Sequence, residues 1–325
     1  MKIGVGLFGN NGGHQIHGEL VNHPYAQIVA TAAMDTKLLA PEQQFDTDIR
    51  HYESLEDLLK DERVQVVSLC SPRRSNQVNE AIMCMQQGRH VYAEKPCALH
   101  EEELDLLLQA VNETGCCFRE MAGTGFQQPY LAIRNQVLSG VIGEVVQVFA
   151  QKSYPYHDGR PQDEAIDGGL IGQNGIHAIR FVEHVACVQI KEIHAMETKL
   201  GNPCEHGGLH MAASMLMRLD NGGVASIVAN YLNPKGFGGW GNEHLRIFGT
   251  KGFIEAVDGG ARTRLVVGDH DWGPVDISQP EENYWNRFIQ TLLGRAEMPV
   301  TLEDELHCTR MAIRAKKSAN QQQTY

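Results

Sequence analysis

Short apolar runs alternate with amphipathic segments along the first third of the chain. This rhythm is typical of βαβ units, in which parallel strands are covered by helices on both faces. The predicted strands are 2–8, 27–34, 64–69, 90–93 and 116–119. Helices are predicted after the glycine cluster at 9–13, over 55–60, from Ser71-Pro72 to about 87, and over 100–113. The pattern therefore predicts a doubly wound α/β domain over residues 1–121.

The pattern changes after residue 121, where closely spaced strands replace the strand–helix alternation. Turn sequences such as Asp220-Asn221-Gly222-Gly223 separate successive apolar runs, which favours antiparallel pairing. The predicted strands are 144–152, 190–199, 209–219, 223–231, 243–249 and 252–257, and the predicted helices are 129–138, one ending near 186, 281–293 and 301–317. Residues 122–325 are therefore predicted to form an α+β domain on a large, mainly antiparallel sheet.

The few helices of this second domain leave one face of such a sheet uncovered. An uncovered apolar face is usually closed by a second copy of the same face. We therefore expect a homodimer or homotetramer that forms through the C-terminal sheet.

Composition narrows the possible partners. The chain has 325 residues, of which 42% are hydrophobic, and its net charge is 28 − 40 = −12. Without a basic surplus, binding to nucleic acid or to a membrane surface is not expected. No CxxC spacing is found among the 8 cysteines, which we expect to be reduced. These features predict a cytoplasmic protein.

A glycine-rich loop follows the first predicted strand and contains Gly9, Asn10, Asn11 and Gly12. Bare backbone between a first strand and a first helix is typical of dinucleotide sites, where it approaches the pyrophosphate. Asp35, at the end of the second predicted strand, can accept hydrogen bonds from an adenosine ribose. Its charge favours NAD as the cofactor, although nearby Lys37 leaves NADP open.

The segment Glu94-Lys95-Pro96 follows a predicted strand and so lies at the carboxyl edge of the parallel sheet, where ligands bind. Together with the features above, with Ser71-Pro72 and with Gly168 through His177, it makes the chain resemble the Gfo/Idh/MocA oxidoreductases, named for glucose–fructose oxidoreductase and inositol dehydrogenase. The resemblance extends over nearly the whole chain, in the same domain order. It implies a dinucleotide-binding Rossmann domain followed by a domain for substrate binding and oligomerisation.

The resemblance also implies roles for individual residues. Lys95 would lie beside the nicotinamide and exchange the substrate hydroxyl proton, while Glu94 contacts the cofactor. His177, on a helix of the second domain, would complete the proton relay. Gln173 stands where inositol dehydrogenases carry an aspartate, so it can orient a hydroxyl but cannot accept a proton.

The loop after the third predicted strand departs from the family in a similar way. Ser71 and Pro72 match the family, whereas Arg73 and Asn76 replace the usual Asn and His. This loop lies near the cofactor in the family, so we expect Ser71, Pro72 and Asn76 to contact NAD.

Substrate residues are predicted from aromatic and charged side chains in polar loops of the second domain. The candidates are Tyr156, His157, Arg160 and Trp240, which suit a hydroxylated ring. The spacing of His206 and His210 would favour a metal site only on a helix, and two glycines interrupt that segment, so no metal is expected.

These observations predict an NAD(P)-dependent dehydrogenase that moves a hydride between nicotinamide and a secondary alcohol of a sugar, sugar acid or cyclitol. Two alternatives remain open. One is an epimerase, lyase or glycosidase that retains NAD and uses transient oxidation. The other is a non-catalytic regulator that binds the dinucleotide.

Overall fold

A computed structural model describes residues 2–10 and 15–322. The described chain packs into two compact units. The first combines the described parts of 1–121 with 165–168 and 285–306, and the second combines 122–164, 169–284 and the described part of 307–325. The segments 165–168 and 285–306, which the sequence analysis assigns to the second domain, therefore pack with the first unit.

The first unit contains a six-stranded sheet in which every neighbouring pair is parallel. Its strands are β1 Ile3–Phe8, β2 Ala26–Ala32, β3 Arg50–Tyr52, β4 Val66–Leu69, β5 His90–Ala93 and β6 Phe118–Glu120. They lie in the order β3-β2-β1-β4-β5-β6. Every residue of β1 is buried, as a central strand covered on both faces requires. The predicted doubly wound sheet is confirmed.

Four α-helices lie between these strands in the described residues. They are α1 Pro41–Gln44, α2 Leu55–Leu59, α3 Gln77–Gln86 and α4 Glu101–Thr114. The helix predicted after the glycine cluster is wrong where it can be checked, because residues 15–25 contain only a 3-10 turn at Gly18–Leu20. The second predicted strand also ends earlier, at Ala32.

The second unit contains an eight-stranded sheet that is mainly antiparallel, as predicted. Its strands are β7 Val145–Ser153, β8 Ile190–Thr198, β9 Ala212–Leu219, β10 Val224–Asn230, β11 His244–Gly249, β12 Gly252–Val257, β13 Arg262–Val267 and β14 His270–Gly273. They lie in the order β14-β13-β12-β11-β7-β10-β9-β8. Only the central pair of β7 and β10 is parallel, because these two strands are joined by a long connection rather than a hairpin.

One face of this sheet is buried, and the other is open within the chain. In β9 the side chains of Ala213, Met215, Met217 and Leu219 are buried, whereas Leu216 is 65% exposed. The buried face shares a hydrophobic core with helical segments. The helices after β6 are α5 Tyr130–Leu138, α6 Glu164–Asp167, α7 Ile176–Arg180, α8 Tyr284–Leu292 and α9 Leu302–Gln322.

No helix within 2–10 and 15–322 has both the length and the apolar character needed to cross a bilayer.

Candidate active site

The carboxyl ends of β1 and β4 meet where the strand order of the first sheet reverses. Open α/β sheets bind their ligands at this position. Gly9 follows β1 with a φ of 68°, and a Cβ atom there would lie 2.1 Å from the carbonyl oxygen of Cys70. Only glycine fits this close approach, so the chain leaving β1 passes directly against the end of β4.

The residues predicted to bind the dinucleotide lie in loops that follow β1, β2, β4 and β5, but Asn11 and Gly12 are outside the described residues. Asn10 and Asn76 are exposed. Asp35 is also exposed and lies three residues beyond β2, where its Oδ1 accepts a hydrogen bond from the Lys37 amide at 3.0 Å. The strand order matches that of dinucleotide-binding sheets, and the Asp35 carboxylate lies where it could accept hydrogen bonds from an NAD ribose. Residues 15–25 contain no α-helix that could face the pyrophosphate.

Ser71 and Pro72 lie just after β4. The Ser71 hydroxyl donates to the Glu80 carboxylate, and its amide donates to Gln77 Oε1 at 3.3 Å. A Cβ atom on Gly9 would lie 3.2 Å from Pro72 Cδ. The loop of Ser71 and Pro72 therefore lies against Gly9, at the carboxyl ends of β1 and β4.

Lys95 and Glu94 form a buried ion pair directly after β5. Lys95 is 2% exposed and Glu94 is fully buried, and Lys95 Nζ lies 3.5 Å from Glu94 Oε1. Pro96 follows through a cis peptide bond. Gly168 lies so close to this proline that a Cβ atom would be 2.7 Å from Pro96 Cγ. An ammonium and a carboxylate withdrawn from water can hold or exchange a proton with a bound hydroxyl.

The main chain around Lys95 is fixed by Gln77, which the sequence analysis did not identify. Gln77 begins α3 and is fully buried. Its Nε2 donates to the Glu94 carbonyl at 2.6 Å and to the Pro96 carbonyl at 3.3 Å. Its Oε1 accepts from the Ser71 amide and from the buried Arg74 guanidinium. One amide therefore ties the loop after β4 to the segment that carries Lys95.

In the second unit, His177 and Gln173 lie on a continuous helical segment with unusual winding. A π-helical stretch over Ile171–Gly175 precedes α7, and another follows at Phe181–Val185. Such wide turns occur frequently at functional sites. Both side chains are buried. Thr124 Oγ1 lies 2.8 Å from His177 Nδ1 and orients the imidazole.

Aromatic rings extend from His177 to the surface of the second unit. The Tyr154 ring lies 6.3 Å from the His177 ring and 5.9 Å from the Trp240 ring. His157 lies 5.9 Å from Trp240, and Trp240 is 57% exposed. We call Tyr154, His157, His177 and Trp240 the aromatic wall. Two of the predicted substrate residues, His157 and Trp240, therefore lie together with the predicted catalytic histidine.

Charges beside the aromatic wall change the acidity of its side chains. Burial raises the pKa of Tyr154, and the neighbouring Lys152 opposes that shift. Burial and the Arg160 guanidinium lower the pKa of His157. Lys152 itself is paired with Glu243 at 2.5 Å. At neutral pH the wall is thus built from uncharged Tyr154 and His157 rings.

The other two predicted substrate residues have different neighbours. The Tyr156 hydroxyl lies 3.6 Å from Cys204 Sγ. The Arg160 guanidinium stacks on Tyr231, with its carbon 3.7 Å from the ring centroid, and donates to the Pro155 carbonyl from Nε and Nη2. Tyr156 therefore does not join the aromatic wall by a ring contact, and Arg160 lies on a separate ring.

The loop that carries Trp240 is held by Asn233, a second residue that the sequence analysis missed. The Asn233 Nδ2 donates to the carbonyls of Gly239 and Trp240 at 3.2 and 3.0 Å. Its backbone amide donates to the Tyr154 carbonyl at 3.0 Å. No sequence motif marks either Asn233 or Gln77, because each acts through main-chain groups of a segment far along the chain.

His210 belongs to a buried ionic cluster with Glu164 and Glu197. The Lys316 ammonium lies within it, 2.7 Å from Glu164 and 2.6 Å from Glu197. Burial favours a higher pKa for Glu164, but hydrogen bonds from His210 and Lys316 outweigh it and lower the pKa. The lysine supplies the positive charge that a metal ion would otherwise bring to these two carboxylates and the imidazole.

Family models cover most of the chain. The model described as an oxidoreductase family with an NAD-binding Rossmann fold matches residues 3–121. The model described as the GFO/IDH/MocA C-terminal domain matches residues 130–255. The chain therefore belongs to the GFO/IDH/MocA family of oxidoreductases, and its cofactor class is NAD, as the resemblance implied.

Individual relatives are distant. A trans-1,2-dihydrobenzene-1,2-diol dehydrogenase of Xenopus laevis is 27% identical over 160 residues, which is 49% of this chain and only 48% of that protein. The alignment with the Sus scrofa enzyme of the same name is longer, with 27% identity over 266 residues, 80% of this chain and 76% of the relative.

Solved structures share the whole fold at low sequence identity. An oxidoreductase structure from Thermotoga maritima has a TM-score of 0.86 at 24% identity, covering 98% of both chains. The aldose–aldose oxidoreductase of Caulobacter crescentus has a TM-score of 0.83 at 18% identity, covering 99% of this chain and 98% of that one. At these identities the likeness establishes the fold.

Proposed function

We propose that this protein is an NAD-dependent dehydrogenase that oxidises a secondary alcohol of a sugar, sugar acid or cyclitol, or reduces the corresponding ketone. NAD, when bound, supplies the hydride acceptor. The names of the Sus scrofa and Caulobacter relatives, a diol dehydrogenase and an aldose oxidoreductase, both describe enzymes of hydroxylated substrates. This agreement supports alcohol chemistry and leaves the particular substrate to experiment.

The observation that carries the proposal is the buried ion pair of Lys95 and Glu94 at the carboxyl edge of the sheet. Burying a lysine costs free energy unless its charge is compensated. Here Glu94 lies 3.5 Å away, and Gln77 fixes the main chain on both sides. A lysine so withdrawn from water in a ligand-binding loop supports a chemical role for Lys95.

We assign the proton steps to Lys95 and His177, and the orientation of the substrate to Gln173. Lys95 Nζ, in its neutral form, takes the proton from the substrate hydroxyl as the carbinol hydrogen leaves as hydride, and a ketone is formed. His177 relays that proton through Nε2, since Nδ1 is engaged by Thr124. Gln173 orients a substrate hydroxyl through its amide, which cannot act as a base. The proposed cofactor contacts are Gly9, Asn10, Asn11, Gly12, Asp35, Ser71, Pro72, Asn76, Glu94 and Lys95.

The test is NADH formation with a panel of sugars, sugar acids and inositols, repeated with Lys95→Met. General acid–base catalysis typically contributes about 10²- to 10⁴-fold, so we expect kcat to fall by at least about 100-fold. Calorimetry should show that the remaining cofactor contacts still bind NAD. A Lys95→Met protein with unchanged kcat would overturn the proposal. Turnover without net NADH would instead favour an enzyme that retains its cofactor.

We also propose that the open face of the second sheet joins two copies of the chain. Cross-strand pairing aligns Arg218 with Val224 and Gln147 with Phe248 on this face. Met196, Leu216, Val224 and Phe248 are exposed large apolar side chains of its strands. Light scattering after gel filtration tests the assembly, and a monomer at micromolar concentration contradicts it. The cytoplasmic location expected from the sequence stays a prediction.

A further inference from the structure

Arg160, three residues after His157 of the aromatic wall, carries a positive charge that no ion pair within the described residues compensates. Its Nε and Nη2 donate to the Pro155 carbonyl at 3.4 and 3.2 Å, and the guanidinium stacks on the Tyr231 ring. Among the residues that the structure describes, no carboxylate lies within ion-pairing distance of it. A carbonyl and an aromatic face hold a guanidinium in place but do not neutralise it.

Two other cations of this unit that lie against aromatic rings are paired. Lys152 contacts Glu243 at 2.5 Å, and Arg246, which also lies against aromatic rings, contacts Glu255 at 2.5 Å. Asp158 is close in sequence to Arg160, but it is exposed and makes no ion pair with it. Arg160 is thus a half-buried cation that is oriented on one side and lacks an anionic partner on the other.

Arg160 is also linked to the aromatic wall. Its backbone amide donates to the His157 carbonyl at 3.1 Å, and Asn233 joins the loop of Trp240 to the Tyr154 carbonyl. The same short segment therefore presents a ring surface for an apolar sugar face and a guanidinium for an anion.

We propose that Arg160 binds a carboxylate of the substrate, so that the preferred substrate is a sugar acid. This inference rests on the proposed function and narrows its substrate class. The remaining N–H groups, on Nη1 and Nη2, form the planar fork that matches a carboxylate. The chain carries a net charge of −12, which repels anions at long range, so a local cation is needed to select an acid.

The experiment compares acids with their neutral counterparts: D-glucuronate with D-glucose, and D-galacturonate with D-galactose. Binding is measured by thermal shift in the presence of NADH, and turnover by NADH formation from NAD. For the wild-type protein, at least one acid is expected to bind more tightly than its neutral partner, by about 10- to 100-fold, as for a hydrogen bond to a charged group. That preference should weaken with added salt.

Arg160→Met should abolish the preference by weakening acid binding, with the neutral sugar changed less than about two-fold. Arg160→Lys keeps the charge but not the planar fork, so it should lose part of the preference for the acid. If Arg160→Met lost acid binding only because it folds poorly, Arg160→Lys would not show this intermediate preference. Arg295→Met is the matched control, because it removes a cation that lies on the Tyr25 ring in the first unit. It should leave the acid preference intact.

The inference is overturned if no acid binds more tightly than its neutral partner, or if the preference survives in Arg160→Met. Its failure is distinct from that of the proposed function. If neutral sugars are oxidised in a Lys95-dependent way and acids are not preferred, the proposed dehydrogenase function is supported and the proposed acid substrate is contradicted. If Arg160→Met loses acid binding but the wild-type protein forms no NADH, the acid site is supported and the dehydrogenase function is contradicted.

Discussion

The segment around Lys95 and the aromatic wall are built in opposite ways. Lys95 is 2% exposed and lies on a main chain tied by Gln77, whereas Trp240 is 57% exposed on a glycine-rich loop held mainly by Asn233. Proton transfer depends on positions fixed within a fraction of an ångström. Recognition of a sugar face tolerates more adjustment. Under the proposed function, the first unit would fix the chemistry and the second would adapt to the substrate.

Among changes outside the proposed catalytic residues, the largest effect should come from removing the hydrogen bonds of Gln77 to the segment that carries Lys95. Gln77→Leu leaves the carbonyls of Glu94 and Pro96 without their donor, which typically costs about 1–3 kcal/mol of stability for an unsatisfied buried group. Because a shift of about 1 Å can cost about 10²-fold in rate, kcat should fall by about 10- to 100-fold. Gln109→Leu, an exposed glutamine of α4, is the control. Unchanged kcat in Gln77→Leu would show that Lys95 needs no such support.

A smaller effect is expected at the aromatic wall. Trp240→Ala removes a ring surface whose contacts are worth about 0.5–1.5 kcal/mol, so KM should rise by about 2- to 10-fold with kcat nearly constant. Steady-state kinetics would show this split. Trp272→Ala is a matched control, since Trp272 is also exposed and contacts a histidine, His270, at 4.5 Å. A fall in kcat alone would argue that Trp240 positions the reacting groups.

The smallest effect concerns acid stability of the first unit. Hydrogen bonds from Arg63 lower the pKa of the buried Asp61 from 3.8 to about 2. A carboxyl group with a lowered folded-state pKa stabilises the protein above pH about 4 and loses that contribution as the pH falls toward 2. The melting temperature of Asp61→Asn, measured between pH about 4 and pH about 2, should therefore fall less steeply than that of the wild-type protein. That of Asp46→Asn, at an exposed position, should fall as steeply as in the wild-type protein.

Much of the fold could be predicted because buried positions leave a regular pattern of apolar residues along the sequence. The strands β1, β4 and β5 are apolar nearly throughout, and β9 alternates between buried and exposed positions. The short edge strand β3, Arg50–Tyr52, escaped prediction because it is largely exposed. The helix expected after Gly9 failed because a glycine-rich loop marks a turn without specifying the element on its far side.

The site was predictable only where a local motif carried it. Lys95 and Glu94 follow a strand in consecutive positions, so their place at the sheet edge could be inferred. Gln77 and Asn233 could not be found in this way, because their partners are carbonyl groups whose proximity arises from tertiary packing. The same holds for Tyr231, whose ring supports Arg160 from a position just after β10.

The packing of Tyr92 has a consequence for biosynthesis. Its ring contacts Trp285 at 5.1 Å and Phe288 at 5.4 Å, and both residues are made far later in translation. While the ribosome is still translating the second unit, the nascent first unit lacks the two rings that cover Tyr92, next to the segment that carries Lys95. Chaperone demand during translation, and sensitivity to truncation near the C-terminus, should therefore exceed what the order of domains alone suggests.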